Sequence, residues 1–457
     1  MSENISRRGF VATAAGAGVG LAIHGAATAA EKAEKAEKAD KLALLGGKKT
    51  RTKAFPAWPI SESLEDKALL DTLWSGKWFR GGAPNVDKFE QSFARLTGAK
   101  HCVATNGGTT ALIAALGALG IGPGDEVIVT PYTFIATINS ILMHYALPIL
   151  VDIDPATFQI DPAKIEAAIT DRTAAILPVH IGGNVSNLDA ILAVAKKHNL
   201  PVVEDCCQAH IAQWRHRNVG TWGTLGCFSF QVSKNLCSGE GGAVLTADND
   251  LAERVYAFHN NCRARTVINY NFAYTPTRAG NFRMTEFQGA LLMAQMTRLE
   301  QQSRNREQNA AYLSAMLSEI PGITPCQMYE GCTRNNYHLY MFRYEAQKFG
   351  GLPRAKFLEA MGAEGIPCGG GYSPVDWDAF LKQALGTRAA RRVFPESVIH
   401  GWAARCRVPE HNRLCEEGVW LGQSTFLGPR CDMDQIAAAV RKVRAHAGEL
   451  IHTTKRA

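Results

Sequence analysis

Cys102-Val103-Ala104-Thr105 runs directly into Asn106-Gly107-Gly108-Thr109-Thr110, then into an apolar stretch over residues 111–119, and Glu126-Val127-Ile128-Val129 follows. The two short apolar runs read as buried strands, the glycine pair as a turn, and the stretch between them as a buried helix. The alternation continues. Further strands are expected at 149–152, 174–179 and 201–204, separated by helices at 161–169 and 188–198. That order predicts an α/β fold with a mainly parallel sheet, helices on both faces, and functional residues at the carboxyl ends of the strands. A long helix over 296–317, rich in Gln, Arg and Glu, leads out of this part. Beyond it, a strand at 336–344 and helices at 353–362 and 433–447 predict a smaller C-terminal α/β domain. The expected division is a large domain over 46–310 and a small one over 311–457.

The whole chain has 457 residues, enough for about two to four domains. With 46% hydrophobic and 20% charged residues, its composition is that of a soluble globular protein. Forty-nine Lys+Arg against 42 Asp+Glu leave a net charge of +7, spread without a long basic run, which argues against nucleic acid as a partner. The twelve cysteines include no CxxC pair and no zinc-type Cys/His spacing, so they read as reduced, mostly buried thiols, and no metal site is expected.

The front of the chain reads as an address. Ser6-Arg7-Arg8-Gly9-Phe10 precedes a stretch of apolar and small residues ending near Ala27-Thr28-Ala29, a pattern that resembles a twin-arginine export signal over residues 1–30. The expected destination is the periplasm. An uncleaved membrane anchor is the alternative, although five Gly and His residues (Gly16, Gly18, Gly20, His24 and Gly25) make the stretch weakly hydrophobic. Residues 31–45, with their repeated Ala-Glu-Lys, read as a charged tether.

Several separated segments end where this fold places a ligand. Gly108 and Thr109 stand in a small-residue turn before a helix, where backbone N–H groups can approach an anion. Val203-Glu204-Asp205 delivers an acid at a strand end, and Phe134 could set an aromatic ring at the same sheet edge. Lys234, in Phe228-Ser229-Phe230-Gln231-Val232-Ser233-Lys234, stands between aromatics and the cluster Gly239-Glu240-Gly241-Gly242; burial there would lower its pKa and make the amine nucleophilic. Singly, each has an ordinary explanation: a turn, a cap, a packed ring, a surface lysine. Together they supply what pyridoxal phosphate needs, namely a lysine for the Schiff base, a carboxylate for the pyridinium nitrogen, a group for the ring face and a phosphate cup. Their order resembles that of the fold-type I enzymes.

The sequence also resembles the DegT/DnrJ/StrS sugar aminotransferases, from about residue 70 to 443. Gly122-Pro123-Gly124-Asp125-Glu126-Val127-Ile128, Thr133-Phe134-Ile135-Ala136-Thr137, Glu204-Asp205 with Gln208-Ala209-His210, and the Lys234 segment carry the likeness. The resemblance implies that Lys234 forms the Schiff base and Asp205 faces the pyridinium. It implies further that Gln208 sits by the ring hydroxyl, Phe134 stacks on the ring, and Gly108, Thr109 and Ser229 hold the phosphate. Asn281 matches a residue that reaches the phosphate from a neighbouring subunit, which implies a homodimer with shared active sites. The implied reaction moves an amino group from glutamate or glutamine to a keto-sugar or keto-cyclitol, a small-molecule chemistry. Gly371-Tyr372-Ser373-Pro374 is similar to the branch acting on inososes, and Lys234 argues against the dehydratase members that carry histidine there. Ile211, where glycine is common, and Val375-Asp376-Trp377 depart from the pattern. Other readings remain open at this point: an exported non-catalytic cofactor-binding protein, or another fold-type I activity. His210 and His338 could contact substrate or be packed histidines.

Overall fold

A computed structural model describes residues 41–265 and 278–454. The expected export signal, and all but the last residues of the tether, lie outside the described residues. Among the described residues, no helix is long and apolar enough to cross a membrane.

The described chain divides into two compact units. The larger comprises Phe55–Glu345 and Cys368–Met433, and it is organised around one sheet. Its strands are β1 (His101–Thr105), β2 (Glu126–Val129), β3 (Leu147–Leu150), β4 (Thr173–Leu177), β5 (Val203–Asp205), β6 (Leu225–Ser229) and β7 (Gly242–Thr246). The ladders run β3-β2-β4 and β5-β6-β7-β1, and parallel bridges Ile176–Val202 and Val179–Asp205 join β4 to β5. The spatial order is therefore β3-β2-β4-β5-β6-β7-β1, parallel except for β7, which is antiparallel to both neighbours. The helix Gly108–Ala118 is buried from Ala111 to Leu116, as expected for a helix that is apolar all round and covered on both sides.

Strand β3 begins two residues before the expected position and contains Pro148. Proline fits because β3 pairs only with β2 and is an edge. Its free edge is covered by the helical segment 377–417: the Trp402 indole N–H donates to the Pro148 carbonyl (2.7 Å), and the Leu150 N–H donates to Cys406 Sγ (3.3 Å). The expected helix 161–169 splits into an α-turn, Pro162–Ile165, and a 3₁₀ turn, Glu166–Ala168.

The long helix, Glu286–Ser318, starts on a capping box in which Thr285 and Gln288 bond reciprocally. It passes through position 310 without a break. A three-stranded antiparallel sheet of β8 (Ile323–Pro325), β9 (Leu339–Tyr344) and β10 (Gly418–Gly422) also belongs to the larger unit. The smaller unit comprises the N-terminal segment through Ala54, Ala346–Pro367 and the segment from Asp434 onward. Within it, buried Glu364 accepts hydrogen bonds from the Ala43 and Thr50 backbones, the Thr50 hydroxyl and Lys442 Nζ.

Candidate active site

Asp205 ends the parallel strand β5, so its carboxylate emerges at the carboxyl edge of the sheet. It is 4% exposed and held from two sides, by the Thr137 hydroxyl (2.8 Å) and the Cys207 N–H (3.0 Å). Thr137 was within reach of sequence reasoning: it lies one helical turn after Thr133, whose hydroxyl it meets at 2.8 Å.

Directly after β1, the helix Gly108–Ala118 starts with Gly107 extended and no side chain capping its first N–H groups. A Cβ on Gly108 would stand 2.5 Å from Ser229 Cβ and 3.0 Å from Ser229 Oγ and Cys207 Sγ. Only glycine fits there. The result is a concave cradle formed by uncapped helix N–H groups, the Ser229 hydroxyl and Thr109, with the donors that a phosphate dianion requires.

Lys234 lies in the loop between β6 and β7. That loop is closed by backbone bonds from Phe230 to Gly241 and from Val232 to Gly239, and Gly239 has a left-handed φ of 84°. The Lys234 N–H turns back to the Gln231 carbonyl at 2.9 Å. Burial pushes the amine below the ordinary lysine value, against the opposing pull of Cys207, Asp205 and Glu240. The shift is toward the neutral, nucleophilic form of the amine.

These groups face one cavity of about 770 Å³, lined by Gly108, Thr109, Phe134, Asp205, Gln208, Ser229 and Lys234 among others. Phe134 is 59% exposed and caps the helix Ile135–Leu142, so its ring is free to cover a ligand. Gln208 takes the Gly182 N–H on its carbonyl (2.8 Å), which turns its amide nitrogen toward the Tyr372 hydroxyl (3.2 Å). Asn281 is exposed and does not line the cavity of its own chain.

The two histidines separate. His210 is fully buried against Phe228 and Phe230, and its Nε2 meets the Ser229 carbonyl at 2.8 Å; burial pushes its pKa down to about 3. It braces the Ser229 backbone and stays outside the cavity. His338 does line the cavity. Its Nδ1 meets Asn235 Oδ1 at 3.1 Å, and because Asn235 Nδ2 donates to the Asn336 carbonyl, Nδ1 carries the proton and Nε2 is left as an acceptor. Ile211 adopts a φ of 53°, which accounts for glycine being common at that position. Trp58, Trp420, Gln423 and Ser424 also line the cavity, and no local motif announces them.

His180, Glu204 and Cys206 lie with their donor atoms within 4.8 Å of one another. The Glu204 carboxylate is already engaged by the N–H groups of Gly220, Trp222 and Gly223 and by His180 Nε2, and His180 Nδ1 accepts from the Ser186 N–H. This node anchors the 220–223 loop. Among the described residues no two cysteines form a disulfide, and burial pushes the thiols of Cys206, Cys207 and Cys237 up, which makes them poor nucleophiles.

A sheet of this strand order, with a half-buried lysine and a strand-end aspartate lining one cavity beside the Gly108–Ser229 cradle, is that of a fold-type I aminotransferase. The DegT/DnrJ/EryC1/StrS aminotransferase family matches residues 60–419, and the chain belongs to that family, whose members depend on pyridoxal phosphate. It is 37% identical over 427 residues to the L-glutamine:2-deoxy-scyllo-inosose aminotransferase of Streptoalloteichus tenebrarius, covering 90% of this chain and 99% of that one. The enzyme of the same name from Streptomyces lividus is 36% identical over 426 residues, with the same coverage. Among solved structures, 3-amino-5-hydroxybenzoic acid synthase superposes with a TM-score of 0.75 at 31% identity, covering 87% of this chain and all of that one.

Proposed function

We propose that the chain uses pyridoxal phosphate to move the amino group of L-glutamine to a keto-cyclitol of the scyllo-inosose type. The observation that carries this reading is the meeting of Lys234 and Asp205 in one cavity with the Gly108–Ser229 cradle, in a chain related over nine-tenths of its length to glutamine:inosose aminotransferases. Bound there, the cofactor supplies an electron sink for a carbon that loses its proton.

The residues act as follows. Gly108, Thr109 and Ser229 would hold the phosphate, Phe134 would cover the ring, and Gln208 would lie by the ring hydroxyl. Asp205, fixed by Thr137 and the Cys207 N–H, would keep a proton on the pyridine nitrogen. Lys234 Nζ would hold the cofactor, and as a free amine it would take the proton from the donor's α-carbon and return one to the carbon of the acceptor carbonyl. Glutamine leaves as its 2-oxo acid and the acceptor C=O becomes CH–NH₂. The two half-reactions share one site, so ping-pong kinetics follow.

Two features complete the reading. The active unit is a homodimer in which Asn281 reaches the partner's phosphate site, in keeping with its exposed place outside its own cavity. The chain is exported folded by the twin-arginine route, which reconciles twelve cysteines outside any disulfide with an oxidising destination.

The test is spectroscopic. Protein reconstituted with the cofactor should show a visible absorbance band that glutamine bleaches and a keto-cyclitol restores. A band indifferent to every amine would refute the reading.

A further inference from the structure

Arg306 is a buried cation with no acid beside it. It is fully buried in the helix Glu286–Ser318, and among the described residues it pairs with no carboxylate. Its Nε (3.0 Å) and Nη2 both donate to Gln423 Oε1, its guanidinium lies 5.5 Å from the centre of the Trp58 ring, and its Nη1 has no partner. Burial pushes its pKa down to about 9, the signature of a charge held at a cost. Such an arrangement is unfavourable unless an anion arrives to complement it.

Gln423 transmits that charge to the cavity. It follows β10 directly and opens the 3₁₀ turn Gln423–Leu427. One helical turn along from Arg306, Asn309 holds the same turn through the carbonyls of Phe426 and Gly428, both at 2.9 Å, so the backbone under Gln423 is fixed. A guanidinium only donates, so the Gln423 amide cannot flip: its oxygen must face Arg306, and its N–H groups are directed away from it. Gln423 lines the cavity beside Trp58 and Ser424. It therefore offers donors backed by a positive charge.

We propose that Gln423 binds the α-carboxylate of the amino donor through its amide N–H groups, with Arg306 behind it as positioning residue and buried counter-charge. Among the described residues that line the cavity, the charged side chains are Asp205, Glu240 and Lys234. Asp205 and Glu240 would repel a carboxylate, and Lys234 is committed to the reaction. A neutral polyol acceptor gains little from a cation behind an amide, whereas a carboxylate gains a charge-assisted bond and an opposite charge in a low-dielectric wall. This inference rests on glutamine being the donor.

Gln423→Glu tests it, because the new carboxylate can pair with Arg306, preserving the fold while removing the donors and cancelling the charge. We expect a melting temperature equal to or above that of the wild type, and a KM for glutamine raised about tenfold to a hundredfold, well beyond any change in the KM for the keto acceptor. Arg306→Met, which replaces a buried cation with an apolar group, should shift the glutamine KM in the same direction. A folded Gln423→Glu enzyme with a glutamine KM within about threefold of wild type would overturn the proposal. So would equal losses for both substrates, or loss of the fold in both variants, since the pair would then be structural. A wild-type enzyme that takes no amine from glutamine would instead overturn the donor reading beneath it.

Discussion

Ile211 shows at a single residue how a sequence anomaly becomes a backbone fact. A β-branched side chain at φ 53° is strained by about 1–2 kcal/mol, yet the side chain is 3% exposed and packed in the core, where its burial offsets the strain. The usual order of small substitutions should therefore invert: Ile211→Gly, which can adopt the left-handed backbone freely, should be more stable than Ile211→Ala by about 1 kcal/mol in urea unfolding. An alanine variant as stable as the glycine variant would refute the strain. At the site itself, Asp205→Asn should keep the cofactor bound but lower kcat about a hundredfold to a thousandfold in steady-state assays, because the proton on the ring nitrogen is no longer held. Lys234, Asp205 and Ser229 were legible because each stands in a short motif at a strand end or loop. Tyr372, Trp420 and Gln423 were not read as parts of one site, because only tertiary folding brings them to the same cavity.

Among the elements, the buried strands were legible wherever an apolar run ended in a turn. Strands β6 and β7 carry no such signal, because glycines and the lysine loop interrupt their pattern: β7 itself begins at Gly242, after Gly239 and Gly241. The edge of β3 offered no local signal at all, since its cover comes from residues some 250 positions away. One ionic contact fastens that cover. Glu126, buried at the start of β2, is bonded by Arg405 (2.8 Å), Thr170 (2.7 Å) and Arg172 (2.8 Å). Burial raises its pKa, but the bonds from Arg405, Thr170 and Arg172 outweigh burial and hold the carboxyl at about 2. A depressed carboxyl stabilises the fold above its unfolded value of 4.5 and loses that contribution as the pH falls toward about 2. Glu126→Gln should thus cost about 2 kcal/mol at neutral pH, the arginines being partly exposed, and its deficit against the wild type should shrink through that acid range. A deficit that does not change with pH would contradict the assignment.

For the whole molecule, the proposed shared-site dimer makes a complementation prediction. Lys234→Ala and Asn281→Ala homodimers, mixed by unfolding and refolding at a cofactor level where neither alone turns over, should recover about a quarter of wild-type activity, because half the dimers then carry one intact site of two. No recovery would make the site private to each chain. The proposed export can be tested apart from catalysis: residues 1–40 fused to a folded reporter should deliver it to the periplasm, and Arg7→Lys with Arg8→Lys should abolish delivery. The most direct test of the account is isotopic. Purified holoenzyme is given scyllo-inosose-type ketones and glutamine labelled with ¹⁵N at the α-amino group, and the product mass is read. The account predicts an aminocyclitol carrying the label, absent with Lys234→Ala; an unlabelled product, or a labelled one formed by Lys234→Ala at the wild-type rate, would contradict it.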